Sequence, residues 1–153
     1  MKRVIVDLTK CLACKSCELA CALEHSGVEE LFEAVQRGLK PKARRLVLNL
    51  SGKAMPLACQ HCEEPLCVDA CMTGALTKDP ETGATVHDED KCVGCWMCVM
   101  VCPFGAIRPG AEDKIAVKCD MCPDEEGFAC VDACPTGALI VCDIEPVEAK
   151  GGE

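Results

Sequence analysis

The sequence predicts a small α+β fold, poor in regular secondary structure, in which something other than hydrocarbon makes up much of the core. Three observations predict it. The chain has 153 residues, enough for one compact domain or two very small ones. It holds three Phe, one Trp and no Tyr, fewer large side chains than a chain this short normally uses to bury apolar surface. Seventeen residues are Cys. Disulfides are a poor account of them. The count is odd, and Met1-Lys2-Arg3-Val4-Ile5-Val6-Asp7 runs into a strand pattern with no apolar leader region. No run approaches ~18 apolar residues, so no membrane span is expected. The expectation is a cytoplasmic, reducing setting in which such thiols bind metal. The formal net charge of −9 argues against nucleic acid as the main partner.

Sixteen of the seventeen cysteines fall into four groups of four. The first is Cys11, Cys14, Cys17 and Cys21; the second is Cys59, Cys62, Cys67 and Cys71. The third is Cys92, Cys95, Cys98 and Cys102, followed by Pro103; the fourth is Cys119, Cys122, Cys130 and Cys134, followed by Pro135. C-x2-C-x2-C-x3-C-P is the bacterial ferredoxin spacing for [4Fe–4S] clusters. Group three matches it fully and group one lacks only the Pro, while groups two and four widen the middle gap. Three thiolates close in sequence wrap a loop around three corners of a cube. The fourth, after x3, points away and serves the neighbouring cluster. Four groups therefore predict four [4Fe–4S] clusters in two reciprocal pairs. The alternatives are a structural zinc scaffold, which has no use for the third Cys or the x3-Cys-Pro, and an enzyme with a substrate-binding cluster, which would need a cluster short of a thiol.

The elements follow in order. Arg3–Val6 reads as a strand leading into group one. Beyond Cys21, the stripe Val28, Leu31, Phe32 and Val35 has helical period and is expected to pack on the body, or else to dock a partner. Arg45–Leu50 reads as a strand. Between Arg37 and Lys53 lie Arg37, Lys40, Lys42, Arg44, Arg45 and Lys53 and no acid, read as a solvated linker and edge strand or as a docking patch. After groups two, three and four come Met72-Thr73-Gly74-Ala75-Leu76, Pro103-Phe104-Gly105-Ala106-Ile107 and Pro135-Thr136-Gly137-Ala138-Leu139. In each the Gly permits a tight turn and the last residue starts a strand. Asp79-Pro80-Glu81-Thr82-Gly83 is a turn that joins short strands as a hairpin, the second being Thr85–His87. Ile115–Lys118 and Leu139–Asp143 complete the strands, and the tail over 144–153 reads as disordered.

Cys11-Leu12-Ala13-Cys14-Lys15-Ser16-Cys17-Glu18, His61-Cys62-Glu63-Glu64-Pro65-Leu66-Cys67-Val68-Asp69-Ala70-Cys71 and Cys92-Val93-Gly94-Cys95-Trp96-Met97-Cys98 carry a resemblance. The chain resembles the four-cluster iron–sulfur electron-transfer subunits of anaerobic oxidoreductases, and looks most like the iron–sulfur proteins that partner carbon monoxide dehydrogenase. The resemblance implies two nested ferredoxin-like units: an outer one from 1–26 and 111–143, and an inner one over 54–110. Residues 27–53 form an insertion between them. It implies that Cys11, Cys14 and Cys17 share a cluster with Cys134, and Cys119, Cys122 and Cys130 one with Cys21. Cys59, Cys62 and Cys67 share one with Cys102, and Cys92, Cys95 and Cys98 one with Cys71. It also implies a non-enzymatic subunit taking single electrons from a catalytic oxidoreductase, carbon monoxide dehydrogenase being favoured. A hydrogenase, a formate dehydrogenase or a tungsten aldehyde oxidoreductase are the other donors. The acceptor would be a flavin-containing nicotinamide oxidoreductase or a hydrogenase.

The remaining residues have plainer readings. Cys142, in a strand-like run, reads as a buried free thiol. Trp96, Met97 and Met100 are expected to pack over a cluster. Lys10, Lys15, Lys91 and Lys118 stand at loop entries or inside a group, either tuning a cluster or simply solvated. His61 lies where it could line a cluster, and His25 and His87 carry no signal.

Overall fold

The computed structural model describes residues 1–110, 114–123 and 127–144. In chain order its elements are β1 (Lys2–Val6), α1 (Ser16–Glu24), α2 (Leu31–Gln36), β2 (Leu46–Leu50), β3 (Lys53–Leu57), α3 (Leu66–Asp69), β4 (Leu76–Lys78), β5 (Thr85–His87), α4 (Met97–Val101), β6 (Arg108–Pro109), β7 (Ala116–Val117), α5 (Ala129–Asp132) and β8 (Leu139–Asp143). The strands form separate two-stranded antiparallel ribbons. β1 pairs with β8, Lys2 opposite Asp143 and Val6 opposite Leu139, and α1 packs on α5. Between these partners in sequence, β4 pairs with β5, β6 with β7, and α3 packs on α4.

Sulfur takes part in the core as the sequence led one to expect. One buried cluster joins Cys17, Val47, Cys130 and Leu139; the other joins Leu76, Cys98, Ile107 and Ala116. Among the described residues the largest fully buried side chains are Ile107 and Thr85, while Phe32 and Phe104 face solvent.

The expected strands are present with small shifts of boundary. The 79–83 turn closes the β4–β5 hairpin: the Asp79 amide donates to Ala84 O at 2.8 Å, and the Asp79 carboxylate accepts from the Glu81 amide and the Thr82 hydroxyl. β3 was not read from the sequence. It pairs with β2 across Ser51-Gly52, both at positive φ, so the hairpin crosses the 53/54 boundary drawn from motif positions. Pro56 is tolerated because the ribbon has only two strands. The helical stripe does not pack on the body, the first of its two expected roles. α2 buries Ala34, and Leu31, Phe32 and Val35 face solvent. The tail 145–153 lies outside the described residues.

Side chains distant in sequence tie the ribbons together. Arg3 on β1 donates to His61 O and Gly83 O, each at 3.0 Å. The Val47 amide donates to the Glu18 carboxylate at 3.1 Å. Arg44 is clamped between Asp120 and Glu89, and Arg108 donates to Ala43 O. The basic segment is therefore not a solvated linker at Arg44, and Arg45 beside it is buried.

His25 completes the Arg44 tie. Its Nδ1 lies 2.8 Å from Cys21 O and its Nε2 3.2 Å from the Asp120 carboxylate. Both partners only accept, so both ring nitrogens carry protons and the ring is cationic. The Asp120 hydrogen bond, followed by that to Cys21, pushes the His25 pKa up to about 10. Burial opposes ionisation of Asp120, but the His25 hydrogen bond and the Arg44 charge outweigh it and hold the carboxyl at about 2.

A histidine whose folded pKa is raised stabilises fully below its unfolded value and loses that contribution as pH rises through the folded one. The midpoint of thermal unfolding should therefore decline as pH rises from near neutral to about 10. His25→Gln should flatten that slope, and a variant as pH-sensitive as wild type would contradict the assignment. Gly94 gives a second test. A Cβ there would sit 2.0 Å from Lys114 O, on a backbone at φ +67°, whereas Gly105 at φ +60° has open space. Gly94→Ala should lower the midpoint clearly more than Gly105→Ala, which bears only the left-handed backbone cost of about 1–2 kcal/mol.

Candidate iron–sulfur sites

Each cysteine group begins with the same backbone device. The residue just before the second Cys is left-handed in all four: Ala13, His61, Gly94 and Met121 have φ of 55°, 49°, 67° and 71°. In groups one and three the residue before the helix is left-handed too, Lys15 at 63° and Trp96 at 65°. A non-glycine residue held at positive φ is strained, and such strain collects where a loop must curl tightly around a site. The third Cys then lies in a helix: Cys17 in α1, Cys67 in α3, Cys98 in α4 and Cys130 in α5.

The fourth Cys ends with a second shared device. The amides of Gly74, Gly105 and Gly137 donate to the carbonyls of Cys71, Cys102 and Cys134 at 3.2, 3.2 and 3.3 Å. These turns aim amides at sulfur. The Ala106 amide donates to Cys102 Sγ at 3.4 Å and the Ala138 amide to Cys134 Sγ at 3.3 Å; Leu76 and Ala75 do the same for Cys71. Burial disfavours the Cys134 thiolate, but the amides and the Thr136 hydroxyl outweigh it and bring its pKa down to about 7. Group one has no such turn, because α1 runs on through Cys21. There the insertion supplies the donors: the Arg44 amide reaches Cys21 Sγ at 3.2 Å, and the Arg45 amide joins it.

The structure brings together thiols that are far apart in sequence. Cys14 and Cys134 line one hollow with Cys11 and Cys17, and they feel each other's charge. Cys71 lines a second hollow with Cys92, Cys95 and Cys98. Burial pushes the Cys122 pKa up to about 12, and Asp120, Cys119, Cys21 and Cys130 add to it. Burial likewise raises Cys59 and Cys67, with Cys102 acting on both. Cys17 also feels Cys130, so the first two sets are neighbours. Cys14 and Cys95 are the two exposed cysteines, and no disulfide joins any of the seventeen.

The donor set fits an iron–sulfur cofactor. Gathered thiols of this kind are what [4Fe–4S] ligation demands. Buried polar atoms also lack a protein partner beside them: Arg45 Nε, His61 Nε2 and His87 Nε2. His61 Nδ1 accepts from the Thr85 amide at 3.0 Å, so its buried Nε2 carries the proton and is an unused donor. Burial, with the Lys118 and Arg3 charges, keeps this ring neutral by pulling its pKa down to about 3. His87, which the sequence left without a role, lines the hollow of Cys71, Cys92, Cys95 and Cys98.

Other expectations change. Half-buried Trp96 lines the hollow of Cys71, Cys92, Cys95 and Cys98 as expected, whereas Met97 and Met100 face solvent. Lys10, Lys15 and Lys91 are exposed and pair with Asp7, Glu18 and Asp88, but Lys118 is buried. Cys142 is half-buried on β8 opposite Arg3, not fully buried.

Comparison with known proteins points to the same kind of cofactor. A family model described as a 4Fe-4S dicluster domain matches residues 50–144, and one described as a 4Fe-4S binding domain matches residues 8–24. An "Iron-sulfur protein" of Rhodospirillum rubrum is 42% identical, over 88% of this chain and 78% of that one. The "Putative electron transport protein YsaA" of Escherichia coli K12 is 36% identical, over 95% and 92%. The "Electron transport protein HydN" of the same strain is 32% identical, over 98% and 93%. A chain in the solved active-site complex BamBC of benzoyl coenzyme A reductase superposes with a TM-score of 0.52 over 98% of this chain and 83% of that chain, at 22% identity, a likeness of fold alone. Small, built of short strands and helices around its cysteines, the chain belongs to the 4Fe-4S dicluster family of ferredoxin-type iron–sulfur electron-transfer proteins.

Proposed function

We propose that this protein relays single electrons between a catalytic oxidoreductase and a second redox partner, holding four [4Fe–4S] clusters with sixteen cysteines. The ligand sets are Cys11, Cys14, Cys17 and Cys134; Cys21, Cys119, Cys122 and Cys130; Cys59, Cys62, Cys67 and Cys102; and Cys71, Cys92, Cys95 and Cys98. The observation that carries this reading is the approach of each group's fourth Cys to thiols of a different group, as with Cys134 in the hollow of Cys11, Cys14 and Cys17 and Cys71 in that of Cys92, Cys95 and Cys98. When bound, the clusters supply one-electron carriers. The protein positions the thiols, shields them from water and aims backbone N–H groups at sulfur. With every set complete, no coordination position is left for substrate, which favours a subunit over an enzyme. The pairing of β1 with β8 and of α1 with α5, outside β4–β5 and α3–α4, supports two nested units.

Cys14 and Cys95 are the exposed corners, in different sets, and these are the two places partner proteins reach. Carbon monoxide dehydrogenase is the favoured donor on the loop sequences, with a hydrogenase, formate dehydrogenase or tungsten aldehyde oxidoreductase as alternatives. A relative of 35% identity is named as a probable anaerobic dimethyl sulfoxide reductase chain, which supports a catalytic partner of this kind. A flavin-containing nicotinamide oxidoreductase or a hydrogenase is the proposed acceptor. The seventeen free thiols suit a reducing, cytoplasmic setting, and among the described residues no helix is long and apolar enough to cross a membrane.

Anaerobically purified protein should contain about sixteen iron and about sixteen acid-labile sulfide per chain, with interacting cluster signals by EPR after dithionite reduction. Zinc in place of iron, or iron well below about twelve with one isolated signal, would overturn the four-cluster reading.

A further inference from the structure

Two cations stand inside the molecule among the thiols. Arg45 is 3% exposed and Lys118 2%. A buried guanidinium or ammonium is among the costliest groups a fold can hold unless an anion faces it. Among the described residues, neither forms an ion pair with a carboxylate, whereas the exposed Lys10, Lys15 and Lys91 each do. Those three exposed cations could be satisfied by water alone and still have carboxylates, while the two that water cannot reach have none among the described residues.

What does face them is sulfur. Arg45 lines one hollow with Cys59 and Cys119 and its Nε has no protein partner, and its charge favours the thiolates of Cys17, Cys119 and Cys130. Lys118 Nζ donates to Thr85 O and, at 2.6 Å, to Cys119 O, and its charge favours the thiolates of Cys59, Cys67 and Cys119. Carbonyls take two of its three hydrogens and leave its charge unpaired. Between them the two cations border thiols of three ligand sets and both act on Cys119. Cys71 and Cys98, of the fourth set, have no Lys or Arg among the leading influences on them.

We propose that Arg45 and Lys118 are the internal counter-ions of the bound clusters, and that they raise the reduction potentials of the clusters they border. The proposal rests on the four-cluster reading. An electron delivered by dithionite or by the catalytic partner adds one negative charge to a site walled off from water, and a fixed cation nearby favours the reduced form. Arg45 acts at the boundary between the Cys17 and Cys130 sets, and Lys118 at that between the Cys119 and Cys59 sets.

The test uses the iron-loaded protein, with EPR-monitored redox titration and iron analysis. Arg45→Gln and Lys118→Met remove the charge; Arg45→Lys and Lys118→Arg keep it. In an iron-replete neutral variant, the reduction equilibrium of the bordered clusters should shift about tenfold or more toward the oxidised form, about 59 mV downward for a one-electron couple. The charge-preserving variant should restore it. Unshifted potentials in both neutral variants with full iron would overturn the proposal. If a neutral variant instead loses iron, retention by its charge-preserving counterpart supports the counter-ion role, and loss from both overturns it in favour of a purely steric one. Wild-type protein without iron would refute the four-cluster reading itself, and that result is seen before any variant is made.

Discussion

Gathering sixteen cysteines into a chain of 153 residues is first a problem of charge. Bound to metal they are thiolates, and burial, with neighbouring negative groups adding to it, pushes thiols such as Cys122 and Cys119 up to about 12 and about 11. Each thiolate therefore needs either a metal or a donor before it can be buried at all. Much of what is regular in this protein answers that need. The left-handed residue before each second Cys curls the loop. The Gly turns after Cys71, Cys102 and Cys134 aim amides at sulfur. With so few aromatic side chains, little hydrocarbon is available to do the same work.

The departure of group one makes sense in the same terms. α1 continues past Cys21, so no Gly turn follows it, and Cys21 would otherwise lack an amide. The segment that returns from α2 supplies it through Arg44, while the Arg44 side chain binds Asp120 next to Cys119. Arg45 then enters the interior beside Cys130. The insertion thus replaces a turn with three functions at adjacent positions: amide donor, surface tie and buried cation.

Much of this was legible in sequence. The cysteine spacing indicated the four groups, and the repeated Gly-Ala phrase located the turns and the starts of β4 and β8. Short strand-like runs marked β1 and β2, and the 79–83 turn marked β5. What was not legible depended on three-dimensional context. Lys118 and Lys91 look alike as lysines before a Cys, yet one is buried and the other pairs with Asp88 at the surface. Leu31, Phe32 and Val35 have helical period, but period alone does not say whether a face finds a neighbour, and here only Ala34 does. The β2–β3 hairpin carried a signal that a search for cysteines passes over, a Ser51-Gly52 pair between apolar strands. His25 showed nothing in sequence because Asp120, its partner, lies far along the chain.

The central claim is that ligation crosses between groups, so that the last Cys of one group completes the cluster of another. Diffraction at the iron absorption edge on crystals of the anaerobic protein tests it most directly. The account predicts four iron cubes per chain, with Cys21 bound to the cube of Cys119, Cys122 and Cys130, and Cys134 to the cube of Cys11, Cys14 and Cys17. A cube holding Cys21 together with Cys11, Cys14 and Cys17 would contradict it.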